Sequence, residues 1–85
     1  MNYQHLKEDY LKMGKNFMTP NIEKYTITTN GRIVELSTGT GVEGEKIWGV
    51  TELERIDGRL ETTRQSGMFT TLKEANKHYK LLENK

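Results

Sequence analysis

The stretch Tyr25-Thr-Ile-Thr-Thr-Asn30-Gly31-Arg32-Ile-Val-Glu-Leu36 decides the fold, because it reads as two short β-strands around a tight turn. Asn-Gly is the dipeptide best suited to the two positive-φ positions of a type I′ hairpin turn. A two-residue loop pairs Thr29 with Arg32, and counting back sets Ile27 opposite Val34 and Tyr25 opposite Leu36. All four apolar side chains then share one face of the sheet, while Thr26, Thr28, Ile33 and Glu35 share the other.

Downstream, the glycine-rich stretch Ser37 to Glu45 leads into a second β-rich segment, Lys46 to Ile56, then Asp57-Gly58, then Arg59 to Gln65. Asp57-Gly58 is again a tight-turn signal and predicts a second hairpin in which Glu54 opposes Glu61. Its faces are less clean, since Trp48, Val50 and Ile56 fall on one parity and Ile47 and Leu53 on the other. Either a bulge shifts the register or part of the strand is covered on both sides. The eleven threonines, against a single alanine, favour strands over helices.

Helical patterns flank this β-rich middle. Tyr3, Leu6, Tyr10, Met13 and Phe17 recur at spacings of three and four, which predicts an N-terminal helix with Asn2 as its cap and Thr19-Pro20 as its stop. Such a stripe packs on a sheet or, alternatively, meets a partner helix. At the other end, Thr71-Leu72-Lys73-Glu74 is a capping-box sequence, and Leu72, Ala75, Tyr79 and Leu82 form the apolar stripe of a helix from about Leu72 to Glu83. The expected fold is α+β: an N-terminal helix, a four-stranded antiparallel sheet of two hairpins, and a C-terminal helix, with both helices on one sheet face. The opposite face, rich in Thr, Glu and Arg, is then expected to be open.

Composition narrows the function classes. The 85 residues suit one small domain, 1–85, and the apolar share of 33% leaves a thin core with which a catalytic cleft would compete. With no cysteine, thiol nucleophiles, zinc-thiolate sites and disulfides are all excluded. Thirteen basic against twelve acidic residues give no whole-molecule field toward nucleic acid or anionic membrane. The cancellation is uneven, however: residues 25–65 carry seven acidic and five basic side chains, and residues 66–85 carry four basic and two acidic. No apolar run is long enough for a signal peptide or a membrane span, so a cytoplasmic location is expected.

The chemical motifs are sparse. Gly39-Thr-Gly41-Val-Glu-Gly44 fits GxGxxG and follows a strand, but Lys46-Ile47-Trp48 continues as β where a dinucleotide site needs a helix N-terminus. A loop whose glycines Gly39, Gly41 and Gly44 present binding contacts is the better reading. His5 and His78 have no third ligand at metal spacing, and exposed histidines are the simpler account. Glu52, Glu54 and Glu61 could act as paired carboxylates or form a solvated face. No serine stands in a nucleophile elbow. No cofactor and no catalytic set is expected. Trp48 with Arg55, Arg59 and Arg64 is the set for binding, because Trp and Arg make large or multidentate contacts; the alternative for Trp48 is a place in the core.

Gly67, Phe69, Thr71, Glu74, Ala75 and Tyr79 make the pattern GxFxTxxEAxxxY. This resembles the last-strand-to-helix junction of AP2-type DNA-binding domains and of the arm-binding domains of phage integrases, over residues 47–82 at most. The resemblance implies a three-stranded sheet on one helix, with Trp48, Arg55, Arg59 and Arg64 as candidates to enter the major groove. Glu52, Glu54 and Glu61 interleave with these arginines and would repel a duplex unless they point to the other face. In size and neutrality the chain also resembles small accessory proteins of bacteria and their phages, including inhibitors of host defence enzymes. Two expectations follow: a non-enzymatic module that binds a protein partner or itself through the open face and the Ser37–Glu45 loop, or a module that binds DNA through its sheet.

Overall fold

The structure is a computed structural model and describes residues 19–84. Four antiparallel strands, β1 (Asn21–Ile27), β2 (Ile33–Thr40), β3 (Lys46–Ile56) and β4 (Arg59–Phe69), follow one another across a single sheet in chain order, and one helix, α1 (Leu72–Glu83), closes the fold. The expected N-terminal helix lies outside the described residues. The α+β architecture, the four strands and the C-terminal helix are as expected, with the helix ends where the capping sequence put them.

The first turn differs from the two-residue loop. Ile27 pairs with Ile33, Thr26 with Val34, Tyr25 with Glu35 and Lys24 with Leu36. The loop has three residues, Thr29, Asn30 and Gly31. The Thr28 amide donates to the Arg32 carbonyl at 2.8 Å, and the Gly31 amide donates to the Thr28 carbonyl at 3.0 Å. Gly31 takes φ of 82°, while Asn30 is not among the positive-φ residues, so a type I′ turn is excluded. This is a type I turn closed by a left-handed glycine, the next most common hairpin solution. Side chains favour it: the Thr28 hydroxyl donates to Asn30 Oδ1 and accepts from the Arg32 amide. The one-residue slip turns Tyr25 and Ile27 away from Val34 and Leu36 and over to the other face of the sheet.

The same turn recurs between β2 and β3. The Gly41 amide donates to the Glu45 carbonyl at 2.7 Å, the Gly44 amide donates to the Gly41 carbonyl at 3.0 Å, and Gly44 has φ of 85°. Ser37 to Thr40 of the glycine-rich stretch therefore belong to β2 and only Gly41 to Glu45 lie outside the strands, so the two expected hairpins become a continuous meander of three. At Asp57-Gly58 the type I′ reading holds, with φ of 51° and 79°, and Glu54 does oppose Glu61.

Both alternatives for the second hairpin occur together. Thr63 is an extra residue in β4, since Leu53 pairs with Thr62 and Glu52 with Arg64. The sheet is also apolar on two sides. Val34, Leu36 and Val50 pack with Ala75, Tyr79 and Leu82 of α1, flanked by Trp48 and Phe69. On the face away from α1, Ile33 and Leu53 cluster with Tyr25, Ile27 and Leu60. The expected open polar face is thus a correction: Ile33, Glu35, Ser37, Ile47, Thr51 and Leu53 of that face are all buried.

Polar contacts lock the helix to the sheet. Thr71 caps α1, its hydroxyl accepting from the Glu74 amide at 3.2 Å. Tyr79 donates to the Thr26 hydroxyl, which in turn donates to Glu83 Oε2 at 2.8 Å. Lys24 Nζ lies 4.5 Å from the Tyr79 ring centre and donates to Asn76 Oδ1. These bonds fasten the β1 edge of the sheet to the helix. Burial pushes the Tyr79 phenol above its ordinary value, and the Glu83 carboxylate adds to the rise. Near the C-terminal end of α1, buried Arg32 pairs with buried Glu52 and donates to the Leu82 carbonyl, while Thr63 donates to Glu52 Oε1 at 3.1 Å.

Candidate functional site

The sheet register separates the residues that the sequence grouped for binding. Trp48, Arg59 and Arg64 stand on the parity of β3 and β4 that faces α1, whereas Arg55, opposite Leu60, stands on the other. Trp48 is half-buried against the core beside Phe69, with Lys46 Nζ 5.5 Å from its ring centre. The core reading of Trp48 therefore accounts for most of its surface. Arg55 reaches the Gly58 carbonyl across the turn. Gly39 pairs with Ile47 inside the sheet, and Gly41 and Gly44 sit in the hairpin turn, so the three glycines form no phosphate cradle at a helix end. Val42, at the tip of that turn, is fully exposed.

One contact could belong to nucleophilic chemistry. Ser66 Oγ lies 3.0 Å from His78 Nε2, and the imidazole stacks against Phe69 with ring centres 5.5 Å apart. His78 is thus half-buried and bonded, not the freely exposed histidine expected. A hydrolytic pair needs a group that orients the other imidazole nitrogen. Among the described residues no carboxylate bonds to Nδ1 of His78. The pair's visible role is to fasten β4 to α1.

What the sequence did not single out is the outer edge of β4. Among the described strands β4 has a neighbour on one side only, and its central run Glu61 to Gln65 is exposed at every position. In a two-residue hairpin the pair flanking the turn, Ile56 and Arg59, exchanges both backbone bonds, and the pairs beyond it alternate. The backbone amides and carbonyls of Leu60 and Thr62 therefore point away from β3, as do those of Gln65 beyond the Thr63 bulge. Such a row of unpaired groups is a template for another strand. Glu61 and Arg64 flank it, and neither side chain has an ion-pair or hydrogen-bond partner among the described residues. The signal available in the sequence was polarity at both parities: between Arg59 and Ser66 only Leu60 is apolar.

No protein-family model, curated protein or solved structure matches the chain.

Proposed function

We propose that this chain is a non-enzymatic binding module that engages a protein partner by strand addition along the outer edge of β4. The observation that carries this reading is the length of that edge: eleven residues, exposed through the centre, with outward backbone groups at Leu60, Thr62 and Gln65. Main-chain hydrogen bonds would supply affinity, and Arg59, Glu61 and Arg64 would select the partner's side chains. The alternative, sheet-mediated DNA binding, assigns Arg55, Arg59 and Arg64 with Trp48 to the major groove. It lacks a face on which Arg55 joins Arg59 and Arg64.

The test is capture from cell lysate by the intact protein and by Thr62→Pro, each with and without nuclease. Thr62 has its amide turned away from β3, so proline there blocks an added strand while leaving the hairpin ladder intact. Proteins retained by the wild type through nuclease treatment and lost with Thr62→Pro are the expected result. Capture that nuclease abolishes favours DNA, and capture unchanged by Thr62→Pro overturns the edge as the site.

A further inference from the structure

We infer that a strand suited to this edge is β4 of a second copy of the same chain, paired antiparallel about a twofold axis at Thr62. The inference rests on the strand-addition reading and names its partner.

A twofold axis perpendicular to the sheet requires one residue to face itself across the interface. Within the run Leu60 to Gln65, the axis residue either points its backbone groups outward, as Leu60, Thr62 and Gln65 do, or lies between two that do, and the latter choice sets Glu61 against Glu61 or Arg64 against Arg64, like charges opposed. Centring on Thr62 places Leu60 opposite Gln65 of the second copy, so every outward backbone group in the run meets another. The Thr63 bulge has a consequence here. It puts Glu61 and Arg64 on the same sheet face, as their partners Glu54 and Glu52 in β3 show. Glu61 then lies opposite Arg64 of the second copy, and Arg64 opposite Glu61, so two ion pairs form symmetrically. Arg59 meets Ser66 at the ends of the overlap.

The other centres do worse. With Leu60 on the axis, Glu61 still meets an arginine, Arg59, but β4 begins at Arg59, so only three residues a side overlap. With Gln65 on the axis, Arg64 meets Ser66 and no charge is neutralised. A bulge and charged side chains are also the devices that keep an edge unpaired. A protected edge, however, has no need for opposite charges at the spacing that a twofold axis neutralises.

The experiment is sedimentation of the full chain across micromolar concentrations. The wild type is expected to dimerise, and Glu61→Arg and Arg64→Glu are each expected to weaken the dimer roughly tenfold or more, because each variant sets like charges opposite one another twice. The double variant Glu61→Arg/Arg64→Glu restores the pairs and is expected to return to within about threefold of the wild type. Circular dichroism of each variant verifies folding. A wild type that stays monomeric, or a double variant no better than the singles, overturns the inference. If the wild type is monomeric while Thr62→Pro still loses a captured protein, the edge binds a different partner. If Thr62→Pro changes neither measurement, the edge reading itself falls.

Discussion

Glu52 is the residue whose loss should cost the fold most for its size. Its carboxylate accepts from Arg32 Nη1 and from the Thr63 hydroxyl, and it links the residue that enters β2 with β3 and β4 beneath the last turn of α1. The side chains of Arg32 and Glu52 are only 9% and 10% exposed. Glu52→Gln keeps the shape and an oxygen for Thr63 but leaves the guanidinium buried without its counter-charge. Breaking a buried pair from one side costs about 3–5 kcal/mol. At roughly 0.05–0.15 kcal/mol per residue, a domain of this length holds only about 4–13 kcal/mol in total. Arg32 keeps its bonds to Asn30 and to the Leu82 carbonyl, so the lower end, about 3 kcal/mol, is expected. Replacing both partners, as Arg32→Met/Glu52→Leu, removes the stranded charge and should cost less than Glu52→Gln alone. Urea unfolding followed by Trp48 fluorescence measures this: the midpoint falls while the slope is unchanged. A Glu52→Gln loss below about 1 kcal/mol, or a double variant as unstable as the single, would show that the pair is effectively solvated and that the reasoning from burial is wrong.

Three other outcomes follow from local geometry. Thr71→Ala removes the acceptor for the Glu74 amide and should cost about 1 kcal/mol in the same unfolding assay. Gly44→Ala should cost about 1–2 kcal/mol even though an added Cβ meets nothing within 4 Å, because φ of 85° is strained for any L side chain; a free substitution there would refute the left-handed turn. Tyr79 has its folded pKa raised, so the unfolded chain loses the phenolic proton first. The stability its neutral form contributes is complete below the ordinary tyrosine value near 10 and is lost as pH rises from there through the folded value, and Tyr79→Phe should flatten that alkaline slope in pH-dependent unfolding.

The strands and α1 were legible because their signals are local: alternation, turn dipeptides, a cap and a stripe of three and four. Register was legible only where the turn had one solution. At Asp57-Gly58 the dipeptide takes both left-handed positions and the pairing follows. At Asn30-Gly31 the same kind of signal failed, because Thr28 binds the Asn30 side chain and lets the loop absorb a third residue. That single residue moves Tyr25 and Ile27 to the face away from α1 and delivers Thr26 to Tyr79 and Glu83. β3 carries apolar residues on both parities because the sheet buries both faces: Trp48 and Val50 face α1, and Ile47 and Leu53 are buried on the other face.

The candidate site was harder to read, because being an edge is a property of the assembled sheet. β2 carries polar residues too, yet every residue of β2 before Thr40 is buried, including Glu35, Ser37 and Thr38, whereas the centre of β4 is exposed throughout. β2 has a strand on each side, which buries its polar residues along with its apolar ones. Residue identity, such as Trp or Arg as an anchor, therefore does not mark the edge; the number of neighbouring strands does. The two edges also differ in a way no residue count reveals. β1 is clamped to α1 through Lys24 and Thr26, so its outer side belongs to a strand already committed to the core network. β4 is fastened at its helix-proximal end by Ser66 and His78, which leaves Glu61 to Gln65 held in strand geometry without a second neighbour among the described strands. A preformed strand of this kind loses little conformational freedom when another chain pairs with it, and that is the physical reason to place recognition on β4 and not on the glycine turn.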